Sequence, residues 1–487
     1  MTMLLLGGII ILAAILRLYR LGDESMWLDE AMMMERISGS YFNLLIDWDS
    51  NRQGPLFTFI QKAWCDCCGT GDATARIPAM IFGVLSVPAV FLLGRRLFGT
   101  QAGLWAALFT AINPFAVFFA QEARPYTLYL LVSVLSLYFW IRLVDGFSWR
   151  RAWLFLVTTL AVLYTHQFGP FLIIAYAMLL LLSRRFTLGL DQQPRGKLMK
   201  VLAMVVILYI PQMLRFGATF VMKVIDPTIA GAWIQVPGFG ALLDALRQYF
   251  MYPGLAIAAY VVILVALIVA FRKRTKPGLG FWTIAVVLFS VLFLPWLISL
   301  LITPIFIPKY CIPAAGIILI TLGWAFTQLK MPLRIAALLV IISLSVVPLD
   351  HLYSDLDKDP IRQTAQYITG QMQAGDVVIT ESPWSALALQ HYFPPTDSVR
   401  LTGLLNVQDL NRAIRKAQRV WLVEAYTAKS APHEELTAAL SKRGAQELLI
   451  NINESRKANP YGFHIEPYIV TRYNLATSSA TLAPTAD

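Results

Sequence analysis

The chain has 487 residues, 57% of them hydrophobic and 14% charged, with a mean hydropathy of +0.61. So apolar a composition cannot be covered by polar surface in water, which excludes a soluble fold and places the chain in a lipid bilayer. The formal charge of +11 comes from Lys and Arg clusters in short connections between apolar runs, where they set membrane orientation, so no nucleic-acid partner is expected.

The first apolar run, 3–20, has no basic leader and no small-residue cleavage site before Arg17-Leu18-Tyr19-Arg20. It is read as a retained span. A hydrocarbon core of about 30 Å needs about 20 apolar residues per helix. Further runs at 78–94, 102–120, 126–142, 152–166, 168–183, 198–214, 254–271, 281–302, 310–328 and 333–348 bring the expectation to about eleven transmembrane helices. Alternate connections are basic: Arg95-Arg96, Arg142 with Arg150-Arg151, Arg184-Arg185 with Arg195, Arg272-Lys273-Arg274, and Lys330 with Arg334. These are expected to be cytoplasmic, which puts 21–77, 121–125, 215–253, 303–309 and the C-terminal region outside. Merging the runs at 152–166 and 168–183 would invert everything downstream, and the basic connections argue against it. Three of the four cysteines lie in Cys65-Asp66-Cys67-Cys68, with no second pair at zinc-finger spacing. They read as buried thiols or a local disulfide.

From Asp350 the composition turns mixed and polar. Helices are expected at 361–372, 384–392, 407–417 and 433–442, strands at 377–380, 419–424 and 446–452, and a turn at Gly375-Asp376. The expected organisation is therefore a membrane domain over 1–349 that includes the first outer loop 21–77, a small extracytoplasmic α/β domain over 350–475, and a disordered tail over 476–487. No glycine-rich phosphate loop follows a strand, so no nucleotide site is expected.

The outer connections carry the chemistry. Trp27-Leu28-Asp29-Glu30 places two acids where the first span leaves the membrane. Two solvated acids are the plain alternative. An interfacial Trp before them and the apolar stretch 31–34 after them favour a boundary position, where a carboxylate needs a cation or a task. The same loop continues through Asp47-Trp48-Asp49-Ser50-Asn51-Arg52-Gln53-Gly54-Pro55-Leu56. The next outer turn, Gln121-Glu122-Ala123-Arg124-Pro125-Tyr126, holds an acid and a base between apolar helices, as a site or as a structural contact. Lys309-Tyr310 opens a late helix, and a snorkelling Lys is its plain reading. His166 ends the fifth run, as a site residue or a core histidine. His351, His391, His433 and His464 show no metal or triad spacing, and no Gly-x-Ser-x-Gly elbow occurs. Transfer of a sugar from a phosphate donor needs a base for the acceptor proton and positive charge for the departing phosphate.

The ordered set Trp27-Leu28-Asp29-Glu30, Gln53-Gly54-Pro55-Leu56, Arg76-Ile77-Pro78, Leu93-Gly94-Arg95-Arg96-Leu97-Phe98-Gly99, Gln121 to Tyr126, Tyr164-Thr165-His166-Gln167-Phe168-Gly169, 233–237 and Lys309-Tyr310 resembles the bacterial protein-mannosyltransferase and aminoarabinose-transferase branch of the GT-C superfamily. The resemblance covers roughly 10–320. It implies the GT-C fold and an inner-membrane enzyme that moves a monosaccharide from a polyprenyl-phosphate-linked sugar donor to a lipid, glycan or protein hydroxyl on the outer face, with inversion. Carried over by position, Asp29 is the general base or catalytic carboxylate, Glu30 its partner, and Glu122 a third catalytic acid. Arg124, Lys309, Tyr126 and Tyr310 bind the donor phosphate, while Arg52, Gln53 and His166 line the site. Relatives commonly carry His-Pro-Pro-Leu where this chain has Gln53-Gly54-Pro55-Leu56, so the ligand that His would supply is missing. No cofactor is assigned, and a divalent metal, if held, would take Asp29 and Glu122.

Two other readings compete. A lipid-linked-sugar flippase or transporter would need charges buried along its spans and inverted repeats. A polysaccharide polymerase or ligase would use a similar lipid donor.

Overall fold

The computed structural model describes residues 1–46, 54–182, 195–225, 234–274, 278–354, 358–380, 383–393, 400–403, 410–412, 414, 417–424, 437–451 and 468–475. The chain forms two compact units. One comprises Met1–Leu21, Ser40–Gly69 and Thr74–Ser354, and the other Gly22–Gly39, Thr70–Ala73 and Asp355–Asp487.

The first unit is helical. Its helices are α1 (Thr2–Leu18), α3 (Tyr41–Ile46), α4 (Pro55–Cys68), α5 (Asp72–Phe98), α6 (Thr100–Ile112), α7 (Pro114–Ala120), α8 (Tyr126–Asp145), α9 (Trp149–Thr165), α10 (Pro170–Leu182) and α11 (Arg195–Ile225). They continue as α12 (Ala241–Gln248), α13 (Pro253–Arg272), α14 (Leu279–Leu288), α15 (Leu294–Leu301), α16 (Ile312–Gln328) and α17 (Met331–Ser354). A π-helical turn, Phe289–Phe293, joins α14 to α15. Among the described residues seven helices are long and apolar enough to cross a bilayer, and the α6–α7 pair, bent by 58°, brings the number to eight if it is one broken span rather than a re-entrant loop. Each of the expected runs falls on helix. Three of those helices are short, however: α1 and α9 have 17 residues and α10 has 13.

The bend in the third run has a local cause. Pro114 cannot donate into the preceding turn, and Asn113 restarts the helix by accepting the Ala116 N–H at 2.9 Å. The carbonyls left open at the end of α6 are satisfied by Arg17, which is fully buried on α1. Its guanidinium donates to Thr110 O and Ala111 O, both at 2.9 Å. Helices α6 and α16 approach until backbone meets backbone: a Cβ on Gly323 would lie 2.5 Å from Ala102 O. Small residues at such crossings let packing replace the hydrophobic drive that lipid does not supply. All four cysteines are free thiols. Cys65 is buried on α4 while Cys67 and Cys68 are exposed, so of the three only Cys65 is a buried thiol, and the local disulfide does not form.

The second unit is α/β. Helices α2 (Leu28–Ser38), α18 (Ile361–Thr369) and α19 (Pro383–Gln390) accompany strands β1 (Val377–Thr380), β2 (Arg400–Gly403), β3 (Arg419–Glu424), β4 (Ala445–Asn451) and β5 (Ile469–Asn474). The sheet order is β2-β1-β3-β5-β4. β1 runs parallel to β2 and β3, with Val377 opposite Arg400 and Val420. β5 is antiparallel to β3 and β4. Alternation along the strands sends Val378, Trp421, Val423 and Val470 to one core and Val377, Ile379, Val420, Leu422 and Tyr473 to another.

The expected division of the chain changes in one respect. The segment 21–77, expected as a first outer loop, does not stay with the helical unit as a block: Gly22–Gly39 and Thr70–Ala73 fold with the C-terminal unit. The cause is burial, because α2 inserts Ala31 into the core of Ile361, Ala365, Val378, Leu389 and Trp421. Strands β2 and β5 were not anticipated, and helix α18 stops at Thr369, three residues earlier than expected. The tail 476–487 and most of the expected helices at 407–417 and 433–442 lie outside the described residues, where 410–412 and 437–441 alone are helical.

Candidate functional site

In the second unit the two adjacent acids part company. Trp27, in extended conformation, precedes α2, and Asp29 and Glu30 occupy its first turn, where the helix dipole favours negative charge. Asp29 is partly exposed. Glu30 is fully buried, and its Oε2 lies 3.2 Å from Nζ of Lys358, which is buried as well. A carboxylate so placed is held rather than available, because the pair cannot be broken without leaving a buried charge. Nearby, Asp72 accepts from Tyr392 Oη at 2.8 Å and from Arg362 Nη1 at 2.6 Å, with His391 Nε2 at 4.0 Å. Burial pushes the His391 imidazole below its ordinary range, and the negative charges of Asp72 and Glu30 only partly offset this.

In the first unit a cluster forms from residues far apart in sequence. The turn between α7 and α8 is tied to the end of α1, because Gln121 Nε2 donates to the carbonyls of Arg17 and Tyr19 at 3.2 and 2.8 Å. In that turn Glu122 is buried, and the Arg124 N–H donates to the Glu122 carbonyl at 2.7 Å. The guanidinium of Arg124 stands 6.0 Å from the centre of the Tyr126 ring, and Lys309 Nζ stands 5.6 Å from the centre of the same ring. Both contacts are cation–π contacts. Lys309 and Tyr310 belong to a 3₁₀ turn, Pro308–Cys311, that leads into α16. Tyr310 stacks over Tyr126 with centroids 6.5 Å apart and meets His166 edge-on at 5.0 Å.

His166 follows α9 and is fully buried. Its Nδ1 accepts the Phe168 N–H at 3.2 Å, which leaves the proton on Nε2. His166 Nε2 and the hydroxyl of Tyr126 have no hydrogen-bond partner among the described residues. Two cations, an N–H donor and a phenol thus gather around one aromatic platform, a donor set whose charge complements an anion.

Tyr129, one helical turn beyond Tyr126 on α8, stacks on His166 at 4.7 Å. It was missed, although the three-residue spacing on one helix face is a signal that could have found it. Lys358 and Arg362 were also missed, and no local pattern marks them. Gln53 and Arg52 lie outside the described residues. The residue after them is closely held: Gly54 N donates to Thr165 O at 3.2 Å, and a Cβ there would lie 2.1 Å from Tyr164 O. The chain thus enters α4 directly against the segment that presents His166.

Among the described residues no three His, Cys, Asp or Glu side chains stand close enough to hold a metal ion. Asp29 and Glu122, the expected metal pair, belong to different units. No step is derived through a metal.

The family model "Dolichyl-phosphate-mannose-protein mannosyltransferase" matches residues 52–213. No curated protein sequence matches the chain. Among solved structures, ArnT from Cupriavidus metallidurans in the apo state is 12% identical with a TM-score of 0.60, covering 99% of this chain and 99% of that one. The same protein bound to undecaprenyl phosphate matches with 12% identity and a TM-score of 0.58, over 96% of this chain and 97% of that one. The archaeal oligosaccharyltransferase AglB from Archaeoglobus fulgidus, in complex with an inhibitory peptide and a dolichol-phosphate, is 11% identical with a TM-score of 0.56, over 99% of this chain and 75% of that one.

Proposed function

We propose that this chain, a membrane protein of the GT-C glycosyltransferase fold, transfers a monosaccharide from a polyprenyl-phosphate donor to a hydroxyl group. The acceptor is a lipid, glycan or protein on the outer face of the inner membrane, and the anomeric carbon is inverted. The observation that carries the reading is the convergence of Arg124 and Lys309 on the ring of Tyr126, beside the Nε2–H of His166. Such an arrangement suits a phosphate that gains negative charge as it leaves. The undecaprenyl phosphate bound by the ArnT neighbour supports the same class of donor.

In the proposed reaction Asp29 takes the proton of the acceptor hydroxyl. The acceptor oxygen attacks the anomeric carbon from the side opposite the phosphate, and the carbon–oxygen bond to the phosphate breaks. The electron pair departs on the polyprenyl phosphate, which Arg124, Lys309, Tyr310 and the Tyr126 hydroxyl receive. Glu122 completes the site from the same turn as Arg124, and Glu30 supports Asp29.

The test compares membrane lipids and surface glycans of cells with and without the chain by mass spectrometry. One mass difference identifies sugar and acceptor together. Asp29→Asn is expected to give a folded, membrane-inserted protein in which that product falls by about 10²–10⁴-fold, the usual worth of a general base. Normal product in that variant would sink the assignment.

A further inference from the structure

Helix α2, which carries Asp29, is built onto the sheet of the second unit. Ala31 is 2% exposed within the cluster of Ile361, Ala365 and Trp421, and Leu28 packs against that cluster. Glu30 is paired with Lys358 at 3.2 Å. The chain before the helix is tied too. The Met26 N–H donates to Tyr392 Oη at 2.6 Å, and the Ser25 hydroxyl donates to the Asp359 carbonyl. Tyr392 in turn donates to Asp72, which also takes Arg362, so residues on both arms of the first outer loop close on one patch. Arg362 reaches the carbonyls of Gly22 and Asp23 as well.

We propose that the C-terminal α/β domain is a positioning element for the reaction. Lys358, through Glu30, fixes the first turn of α2 and so the direction of the Asp29 carboxylate. This inference rests on the reading of Asp29 as the base. The physical argument concerns geometry rather than net stability. A buried ion pair adds little stability over an apolar pair of the same volume, but it specifies one arrangement where apolar contacts tolerate several. Asp29 adjoins Glu30 in the same helical turn, so a rotation of that turn moves both. A misplacement of about 1 Å at a reacting group costs about a hundredfold in rate. The ring of His391, 4.0 Å from Asp72, and the Arg362 guanidinium face the same patch. Lys358 is thus a positioning residue, acting through Glu30.

The experiment uses the full chain in membrane vesicles with their endogenous donor and acceptor, and follows the rate at which the mass difference defined above appears. Undecaprenyl phosphate affinity, thermal stability and amide exchange over residues 27–38 are read alongside. Lys358→Met is expected to lower the rate about a hundredfold and to raise exchange in 27–38, with affinity for undecaprenyl phosphate unchanged. Lys358→Arg keeps most of the rate. The double variant Glu30→Leu/Lys358→Met recovers thermal stability without recovering rate, an outcome a merely structural pair would not give. The proposal is overturned if Lys358→Met keeps the full rate while Asp29→Asn is inactive, or if the double variant regains rate together with stability. An active Asp29→Asn would overturn the base assignment and this inference with it.

Discussion

Lys309 and Arg124 approach the ring of Tyr126 at 5.6 and 6.0 Å from segments almost two hundred residues apart. Sequence pattern named both cations and both tyrosines, because charged residues at the end of an apolar helix stand out. It did not say that they share one ring, nor that Tyr129 completes the stack on His166. Neighbouring acids were likewise legible as a pair, but their different fates were not. Glu30 is buried against a lysine 328 positions away, while Asp29 is partly exposed. At this scale the expected effect of Lys309→Met is a loss of about ten- to a hundredfold in affinity for undecaprenyl phosphate, the worth of one charged hydrogen bond. Calorimetric titration of the detergent-solubilised full chain measures it. An unchanged affinity would remove Lys309 from the phosphate site.

Helices depend on their ends, and here the ends explain the departures from expectation. The run 102–120 reads as one span, yet Asn113-Pro114 breaks it by 58°. The broken end is tolerable because Arg17, on another helix, supplies the donors that water would otherwise provide. Arg17→Leu is therefore expected to leave the Thr110 and Ala111 carbonyls unsatisfied at about 1–3 kcal/mol each. A lowered melting temperature of the purified chain would report it, and an unchanged one would show that the break is satisfied otherwise. Strand β2, Arg400–Gly403, has no alternation of its own and becomes a strand through pairing with Val377–Thr380. Strand β5 buries Val470, Thr471 and Tyr473 on both faces of the sheet, so no one-sided period of two marks it in the sequence. Helix α4 begins where it does because Gly54 admits the backbone of Tyr164, which any side chain would displace.

Each unit, taken whole, has its own stability logic. The membrane unit rests on helix packing through small residues such as Gly323. The sheet unit rests on two cores and on buried ion pairs, which makes it sensitive to pH. Burial would raise the Asp376 carboxyl. Hydrogen bonds from Arg419, the Trp421 ring and the Gln373 N–H overcome that and hold it below its ordinary 3.8. His391 is held below its ordinary 6.5, chiefly by burial. For both groups the unfolded chain binds protons more readily than the folded one, so stability rises with pH through the window between the two states' values. Acidification below about 6.5 is expected to cost stability first through His391, and below about 3.8 through Asp376. Protection factors of the β1 and β3 amides across that range, in the full chain, measure the effect. Arg419→Met should remove about 1.5–3 kcal/mol of that protection at neutral pH, the worth of a charged hydrogen bond, while Trp421 and Gln373 still donate to the Asp376 carboxylate, and undiminished protection would contradict it.

Composition alone determined that this is a membrane protein, because apolar surface on that scale has only lipid or a core to go to. Helix positions and the α/β character of the C-terminal part followed from period and composition, which are local properties of the chain. Motifs in order pointed to the fold before any contact was known. Tertiary structure alone decided which residues meet: Lys309 with Tyr126, His166 with Tyr129 and Tyr310, and Lys358 with Glu30. It also assigned Gly22–Gly39 to the sheet unit rather than to the helices on either side of it in sequence. Such contacts span tens to hundreds of residues and are selected by burial and charge compensation across the whole fold. No short window of sequence contains both partners, and so none could reveal them.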